Sequence, residues 1–257
     1  MKVAMLNDVT RCIGCRGCQT ACKQWNNLPA EPTQFTGSYE NPPSLSPITW
    51  TRIKFRETED RNGDAKFLMA KEQCMHCTDA GCVKVCPTGA LQHTPQGSVR
   101  VDLDRCVACN YCVAHCPFNV PKFDMVTNKA RKCTLCLDRL THGMVTACSH
   151  TCPTDAIEVG DRQKMARIAQ ERVAQLRARG NDKAQVYGLT ECGGLGVIYV
   201  LGDEPAAYGL PEDPQVSLVA DVWGAVFRPI RVLAVAGAVG VGLLAARERR
   251  DITRDQK

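Results

Sequence analysis

Residues 11–23, RCIGCRGCQTACK, carry Cys12, Cys15, Cys18 and Cys22 in the spacing C-x2-C-x2-C-x3-C. Two thiolates separated by two residues reach two iron atoms of one cubane from a tight loop, and a third soon after takes another iron. The fourth sits past a turn and points away, so it serves the other cluster of a pair. The run is therefore read as ligands to 4Fe–4S clusters. Its closing cysteine is followed by Lys23, where bacterial ferredoxins place proline. The partner of Cys22 has to be sought elsewhere in the chain.

Outward from this run, sixteen of the seventeen cysteines fall into four quartets. The second is Cys74, Cys77, Cys82 and Cys86, in CMHCTDAGCVKVCP; the third is Cys106, Cys109, Cys112 and Cys116, in CVACNYCVAHCP. The fourth is Cys133, Cys136, Cys148 and Cys152, in CTLCLDRLTHGMVTACSHTCP. Each opens with C-x2-C and closes with C-x3-C. Three are followed by proline (Pro87, Pro117, Pro153), which stops a helix-like turn and redirects the chain. Zinc sites also use C-x2-C, but they close tetrahedrally on four ligands and rarely show a third cysteine two residues on. Disulfides lack their usual setting, because MKVAMLNDVT has neither the apolar stretch nor the cleavage site of a signal peptide. Cys192 is left over and reads as a free thiol.

Quartets work in pairs, each pair folding as one ferredoxin-like unit. The second and third are neighbours in sequence, joined through Ala90–His93 and Ser98–Asp102, two short strands about the turn TPQG. One cluster is then expected on Cys74, Cys77, Cys82 and Cys116, and another on Cys106, Cys109, Cys112 and Cys86. The outer quartets pair across this insertion. Cys12, Cys15, Cys18 and Cys152 would hold a third cluster, and Cys133, Cys136, Cys148 and Cys22 a fourth. LDRLTHGMVTA, between Cys136 and Cys148, forms a loop or short helix. Sequential pairing, first with second and third with fourth, is the competing topology.

The quartets, with PFNVPKFD after Cys116, KCTLCLDR and CPTDAI, resemble the four-cluster electron-transfer subunits of molybdenum or tungsten oxidoreductases of the dimethyl sulfoxide reductase superfamily. Residues 25–57, residues 189–217 and the apolar segment after WGAVFRP are most similar to the iron–sulfur subunits of membrane-bound formate dehydrogenases. In that family the quartets pair first with fourth and second with third. The resemblance implies a non-catalytic subunit carrying four 4Fe–4S clusters. It would relay electrons from a large molybdopterin catalytic subunit, which oxidises formate, to a membrane cytochrome b that reduces quinone. An equivalent subunit of another complex, acting on nitrate, polysulfide or another oxyanion, is the alternative.

The remaining chain carries no competing chemistry. Net charge is +5 over 257 residues, without a basic run interleaved with aromatics, so no nucleic-acid partner is expected. A glycine-rich nucleotide fingerprint and a serine or cysteine nucleophile set are both missing. The histidines are His76, His93, His115, His142 and His150; none lies in the apolar C-terminal segment. Residues 161–179 read as a scaffold helix, with Met165, Ala169, Val173 and Leu176 on one face, Asp161 capping its start and Gly180 its end. GVIYVLG, 196–202, reads as a buried strand, and residues 25–50, with five prolines, as an ordered surface loop.

Val226–Ala246 is 21 residues, about 31 Å as a helix and so long enough for a bilayer core. Arg228 and Arg231 can snorkel and Trp223 suits the interface. Arg247, Arg249, Arg250, Arg254 and Lys257 follow the span, which places that end in the cytoplasm. The cluster domain would then be periplasmic on the inner membrane, exported folded with a signal-bearing partner; a cytoplasmic cluster domain is the alternative. The expected architecture is α+β: two ferredoxin-like modules with long loops plus a C-terminal transmembrane helix. Module A takes 1–24 and 125–202, a loop and strand insertion 25–73, and module B 74–124. An extended linker takes 203–224, the transmembrane helix 225–247 and a polar cytoplasmic tail 248–257.

Overall fold

The computed structural model describes residues 2–59 and 63–227. Strand β1 (Val3–Asp8) leads into the first cysteine loop and helix α1 (Gly17–Trp25). A loop over 26–51 leads to the hairpin β2 (Arg52–Glu59) and β3 (Ala65–Glu72). The second and third quartets follow on α2 (Gly81–Lys84), the hairpin β4 (Leu91–His93) and β5 (Val99–Val101), and α3 (Tyr111–Ala114). A further hairpin, β6 (Lys122–Asp124) and β7 (Lys129–Arg131), leads to α4 (Leu137–Thr141) and α5 (Ala147–His150). The chain then makes β8 (Ile157–Asp161), α6 (Arg162–Ala178), β9 (Gln185–Tyr187), β10 (Val197–Leu201) and α7 (Leu218–Val222).

Period-two patterning organises the largest sheet, of order β8-β1-β10-β9, in which only β1 and β10 run parallel. Ala4, Leu6, Ile198 and Val200 point to one face and pack with Met165, Ala169 and Val173 of α6. Met5, Val197, Tyr199 and Leu201 point to the other and join a core that contains Cys18 and Cys148. A strand buried on both faces reads as a continuous apolar run, which is why VIYVL is buried throughout. Each buried valine or methionine contributes about 2 kcal/mol. Asp161 caps α6 by accepting from the amides of Gln163 at 2.9 Å and Lys164 at 3.2 Å, worth about 1 kcal/mol. Gly180, at φ +89°, follows its end.

The second and third quartets sit in a thinner unit. Hairpin β4–β5 pairs Leu91 with Val101 and His93 with Val99, around a turn whose Gly97 has φ +92°. Leu91, Val99 and Ala130 form its small core with Cys82, Cys86 and Cys112. Backbone bonds tie this unit to the main sheet: the Val3 amide donates to the Gln96 carbonyl at 2.8 Å and the Gly196 amide to the Met75 carbonyl at 2.9 Å.

Stretch 203–224, expected extended, holds a 3-10 turn over Pro205–Tyr208 and α7. Polar and aromatic residues draw α7 onto the second unit: Lys84 pairs with Asp221, His115 Nδ1 shares a hydrogen bond with Ser217 Oγ at 2.8 Å, and Trp223 stacks edge-on against Tyr111. Trp223–Phe227 form a wider π turn. The rest of the membrane span expected over 225–247, and the tail over 248–257, lie outside the described residues. Among the described residues no helix is long and apolar enough to cross a membrane.

Ala169 has no exposed surface where α6 meets the sheet. Ala169→Leu overpacks that contact and costs about 1–3 kcal/mol. The thermal unfolding midpoint at fixed scan rate should fall by about 5 °C; an unchanged midpoint would mean that the helix rides loosely on the sheet.

Candidate metal centres

The four cysteine loops share a backbone device. The residue two beyond the first cysteine of every quartet is left-handed: Gly14 at φ +65°, His76 at +50°, Ala108 at +61° and Leu135 at +58°. Such a residue turns successive N–H groups toward the concave side of a loop, where they favour negative charge. The Leu135 amide accordingly donates to Cys133 Sγ at 3.4 Å. Glycine supplies this conformation without a Cβ at position 14, and a Cβ there would stand 2.8 Å from both Met69 Sδ and Phe55 Cε1. The other three residues hold the conformation at a cost of about 1–3 kcal/mol each.

Short helices then carry thiols to different places. Cys18 and Cys22 lie one turn apart on α1. Cys18 lines a hollow with Cys12, Cys15 and Cys152. Cys22 lines another with Cys133, Cys136 and Cys148. Helix α5, packed beside α1, repeats this in reverse: its Cys148 lines the second hollow, and Cys152, just past its end, the first. Cys86, Cys106, Cys109 and Cys112 line a third hollow. Cys74, Cys77, Cys82 and Cys116 remain; burial pushes the Cys82 thiol up, and Cys74 and Cys116 add to the upward push on both Cys82 and Cys77. A Cβ on Gly81 would stand 2.6 Å from the His115 carbonyl, so only glycine lets α2 approach the end of α3 this closely.

Burial dominates the electrostatics. It pushes the thiols of Cys18 and Cys133 up to about 12 and that of Cys136 up to about 11. The Cys22 thiol is pushed up for the same reason, with Cys133, Cys148 and Cys136 adding to the effect. Such thiols stay protonated at neutral pH unless a metal replaces their protons. All-sulfur donor sets around hollows, with inward-facing amides, are the chemistry of iron–sulfur clusters. Among the described residues no three His, Cys, Asp or Glu side chains converge on one point as around a single ion.

Sequence reasoning missed two features. Lys71 and Lys132 are both buried, at 4 % and 3 % exposure. Lys71 lines the first two hollows, while Lys132 Nζ donates to the carbonyls of Val99 and Cys133. The only sequence signal was the place of Lys132 beside Cys133. Cys192, outside every quartet, is half-buried at φ +46° and its Sγ lies 3.2 Å from the Pro214 carbonyl. A hydrogen bond with Cys192 is the largest cause of the upward push on Cys77.

The class of protein follows from two family models, each described as a 4Fe-4S dicluster domain, which match residues 11–90 and 65–162. The first window takes in the first and second quartets, so the matched windows follow chain order whereas the hollows mix the first quartet with the fourth. The nitrate-inducible formate dehydrogenase iron–sulfur subunit of Escherichia coli (strain K12) is 44% identical over 242 residues, covering 93% of this chain and 81% of its own. The formate dehydrogenase iron–sulfur subunit of Haemophilus influenzae is 42% identical, covering 92% and 77%. Formate dehydrogenase 2 subunit beta (cytochrome c-553) of Nitratidesulfovibrio vulgaris is 34% identical, covering 81% and 97%. The chain belongs to the family of formate dehydrogenase iron–sulfur subunits. It is an electron-transfer subunit, not the catalytic one, and its cofactors are 4Fe–4S clusters.

Gly81→Val should drive α2 off α3. Iron per chain is then expected to fall to about half, with the paramagnetic signals of the Cys74 and Cys106 groups lost first. Parent-like iron content would mean that the two helices part without consequence.

Proposed function

We propose that the chain relays electrons through four 4Fe–4S clusters, from a molybdopterin catalytic subunit that oxidises formate to a membrane cytochrome b. The ligand sets are Cys12, Cys15, Cys18 and Cys152; Cys133, Cys136, Cys148 and Cys22; Cys74, Cys77, Cys82 and Cys116; and Cys106, Cys109, Cys112 and Cys86. The observation that carries this reading is the sorting of Cys18 and Cys22, neighbours on α1, into separate hollows with partners from the fourth quartet.

When bound, each cluster supplies a one-electron couple whose potential the protein sets. The chain's own residues bury the sulfurs, donate amides to them and space the sites. Sulfurs that influence one another across groups support a linear order. Cys148 acts on Cys18, joining the first and second sets; Cys74 acts on Cys133, joining the second and third; and Cys112 acts on Cys82, joining the third and last. The exposed thiols, Cys15 and Cys109, belong to the two end sets, where electrons would enter and leave.

The formate assignment rests on the names of the relatives. The membrane assignment rests on Val226–Ala246 and its basic flank, with one pass, a periplasmic cluster domain and a cytoplasmic C-terminus. A second reading of the acceptor has support of its own, since one relative's name carries cytochrome c-553. Module boundaries follow the same proposal: 1–24 with 125–202, and 74–124.

Anaerobic preparations should hold about sixteen irons per chain; zinc, or a steady value near half of that iron, would overturn the count. Cys22→Ser should perturb the signal tied to Cys133, Cys136 and Cys148, and Cys12→Ser a different one. Loss of the same signal in both variants by paramagnetic resonance would refute the crossed sets.

Truncation after Phe227 keeps the clasp of α7 and should leave a cluster-loaded chain in the soluble fraction. If that chain, without any partner, still sediments with membranes, the anchor idea fails.

A further inference from the structure

Lys71 is a buried cation without a hydrogen-bond partner. It lies on β3, and among the described residues its Nζ meets no acceptor. Its backbone is fully engaged: the carbonyl accepts from the Tyr199 hydroxyl at 2.8 Å, and the ladder pairs it with Ile53. Lys132 differs, because two carbonyls hold its head and so account for its burial. Nothing equivalent accounts for Lys71. A buried ammonium is costly unless negative charge opposes it.

The place where that charge would stand is defined on both sides. The Lys71 side chain lines the hollow of Cys12, Cys15, Cys18 and Cys152 and also that of Cys22, Cys133, Cys136 and Cys148. Cys18 lines the first of these hollows and Cys22, Cys133 and Cys148 the second, and Lys71 lines both, so the ammonium is shared between the hollows.

We propose that Lys71 is a counter-charge common to the first two clusters of the relay, raising both reduction potentials together. This rests on the crossed cysteine sets of the proposed function. Four thiolates outweigh the charge of a cluster core, so each occupied site is a net anion and becomes more negative by one charge on reduction. A fixed cation in a weakly polar interior stabilises the reduced form more than the oxidised one. Facing both sites, it lifts both couples together and leaves the gap between them unchanged. The electron leaving one cluster enters the other, and no proton or further reactant is consumed. Lys71 is thus a tuning residue that acts through the clusters.

The test uses the full chain in its native complex, with Lys71→Met, Lys71→Gln and Lys71→Arg. Redox titration followed by paramagnetic resonance reads each cluster, and iron analysis reads occupancy. In the neutral variants the reduction equilibrium of two signals should fall about tenfold, a shift of about 59 mV to lower potential for a one-electron couple. Failure of those two clusters alone to fill, with the other pair intact, would carry the same meaning. Lys71→Arg should keep both near the parent. Neutral variants with all four potentials unmoved, a shift in one signal only, an equal shift in all four, or an arginine variant behaving like methionine would each overturn the proposal. The cysteine sets are checked separately, in a chain that keeps Lys71. If Cys12→Ser and Cys22→Ser lose one and the same signal, the sets fail, whatever the lysine variants do.

Discussion

Everything in this molecule depends on burying thiols that cannot ionise there alone. Nine of the seventeen cysteines are buried and two are exposed, so sulfur occupies places that aliphatic side chains would fill in another core. Desolvation raises the thiols of Cys18, Cys22, Cys82, Cys112, Cys133 and Cys136 far above neutral pH, and these become thiolates only against a metal. Binding free energy is then folding free energy for the loops concerned. This is why loops such as 74–77 and 133–136 tolerate left-handed His76 and Leu135. The strain is small beside the energy of the metal–sulfur bonds that the same conformation permits.

The two halves answer this dependence differently. The sheet and α6 form a core without cysteine, built from Ala4, Leu6, Ile198 and Val200 against Met165 and Val173. Asp8, at the end of β1, ties it to the first cysteine loop: its Oδ1 accepts from the Thr10 amide at 3.0 Å, and its Oδ2 pairs with Arg172 of α6 at 2.9 Å. The first and fourth quartets therefore hang from a sheet whose α6 face packs without cysteine, while its other face shares a core with Cys18 and Cys148. The second and third have only three-residue strands and a core in which Cys82, Cys86 and Cys112 are members. Regions with few buried apolar contacts open at lower free energy. The contacts of α7 through Asp221, Ser217 and Trp223 lie on this weaker half, where they add most.

Local signals carried much of this. The face of Met165, Ala169 and Val173 with the Asp161 cap located α6 to within a residue, and TPQG located the hairpin β4–β5. The thiol spacing identified the chemistry because a cubane imposes it. What stayed hidden depends on contacts between distant segments. β1 and β10 pair in parallel across most of the chain, and no local pattern carries that register. RIKFRETE alternates poorly because β2 is buried at its start and exposed at its end, so the long β2–β3 hairpin appeared only as part of an insertion. His76, Ala108 and Leu135 hold positive φ where sequence habit expects glycine. Lys71, in AKFLMAKE, reads as a lysine on a solvated strand, and only the two hollows that it lines give its position meaning.

Exposure then sorts the proposed sites by role. Cys22, Cys133, Cys136 and Cys148 are all buried, whereas Cys15 and Cys109 open to solvent in different hollows. Polar groups fixed in a dry interior need little rearrangement when charge passes, while water must reorient. A relay with a dry middle and open ends therefore concentrates its solvent sensitivity where partners would cover it. Beside each open thiol stands exposed apolar surface: Ile13 near Cys15, and Val107 with Tyr111 near Cys109. Covering those residues would dry the end sites too, so assembly with partners and the tuning of the terminal couples become one physical event.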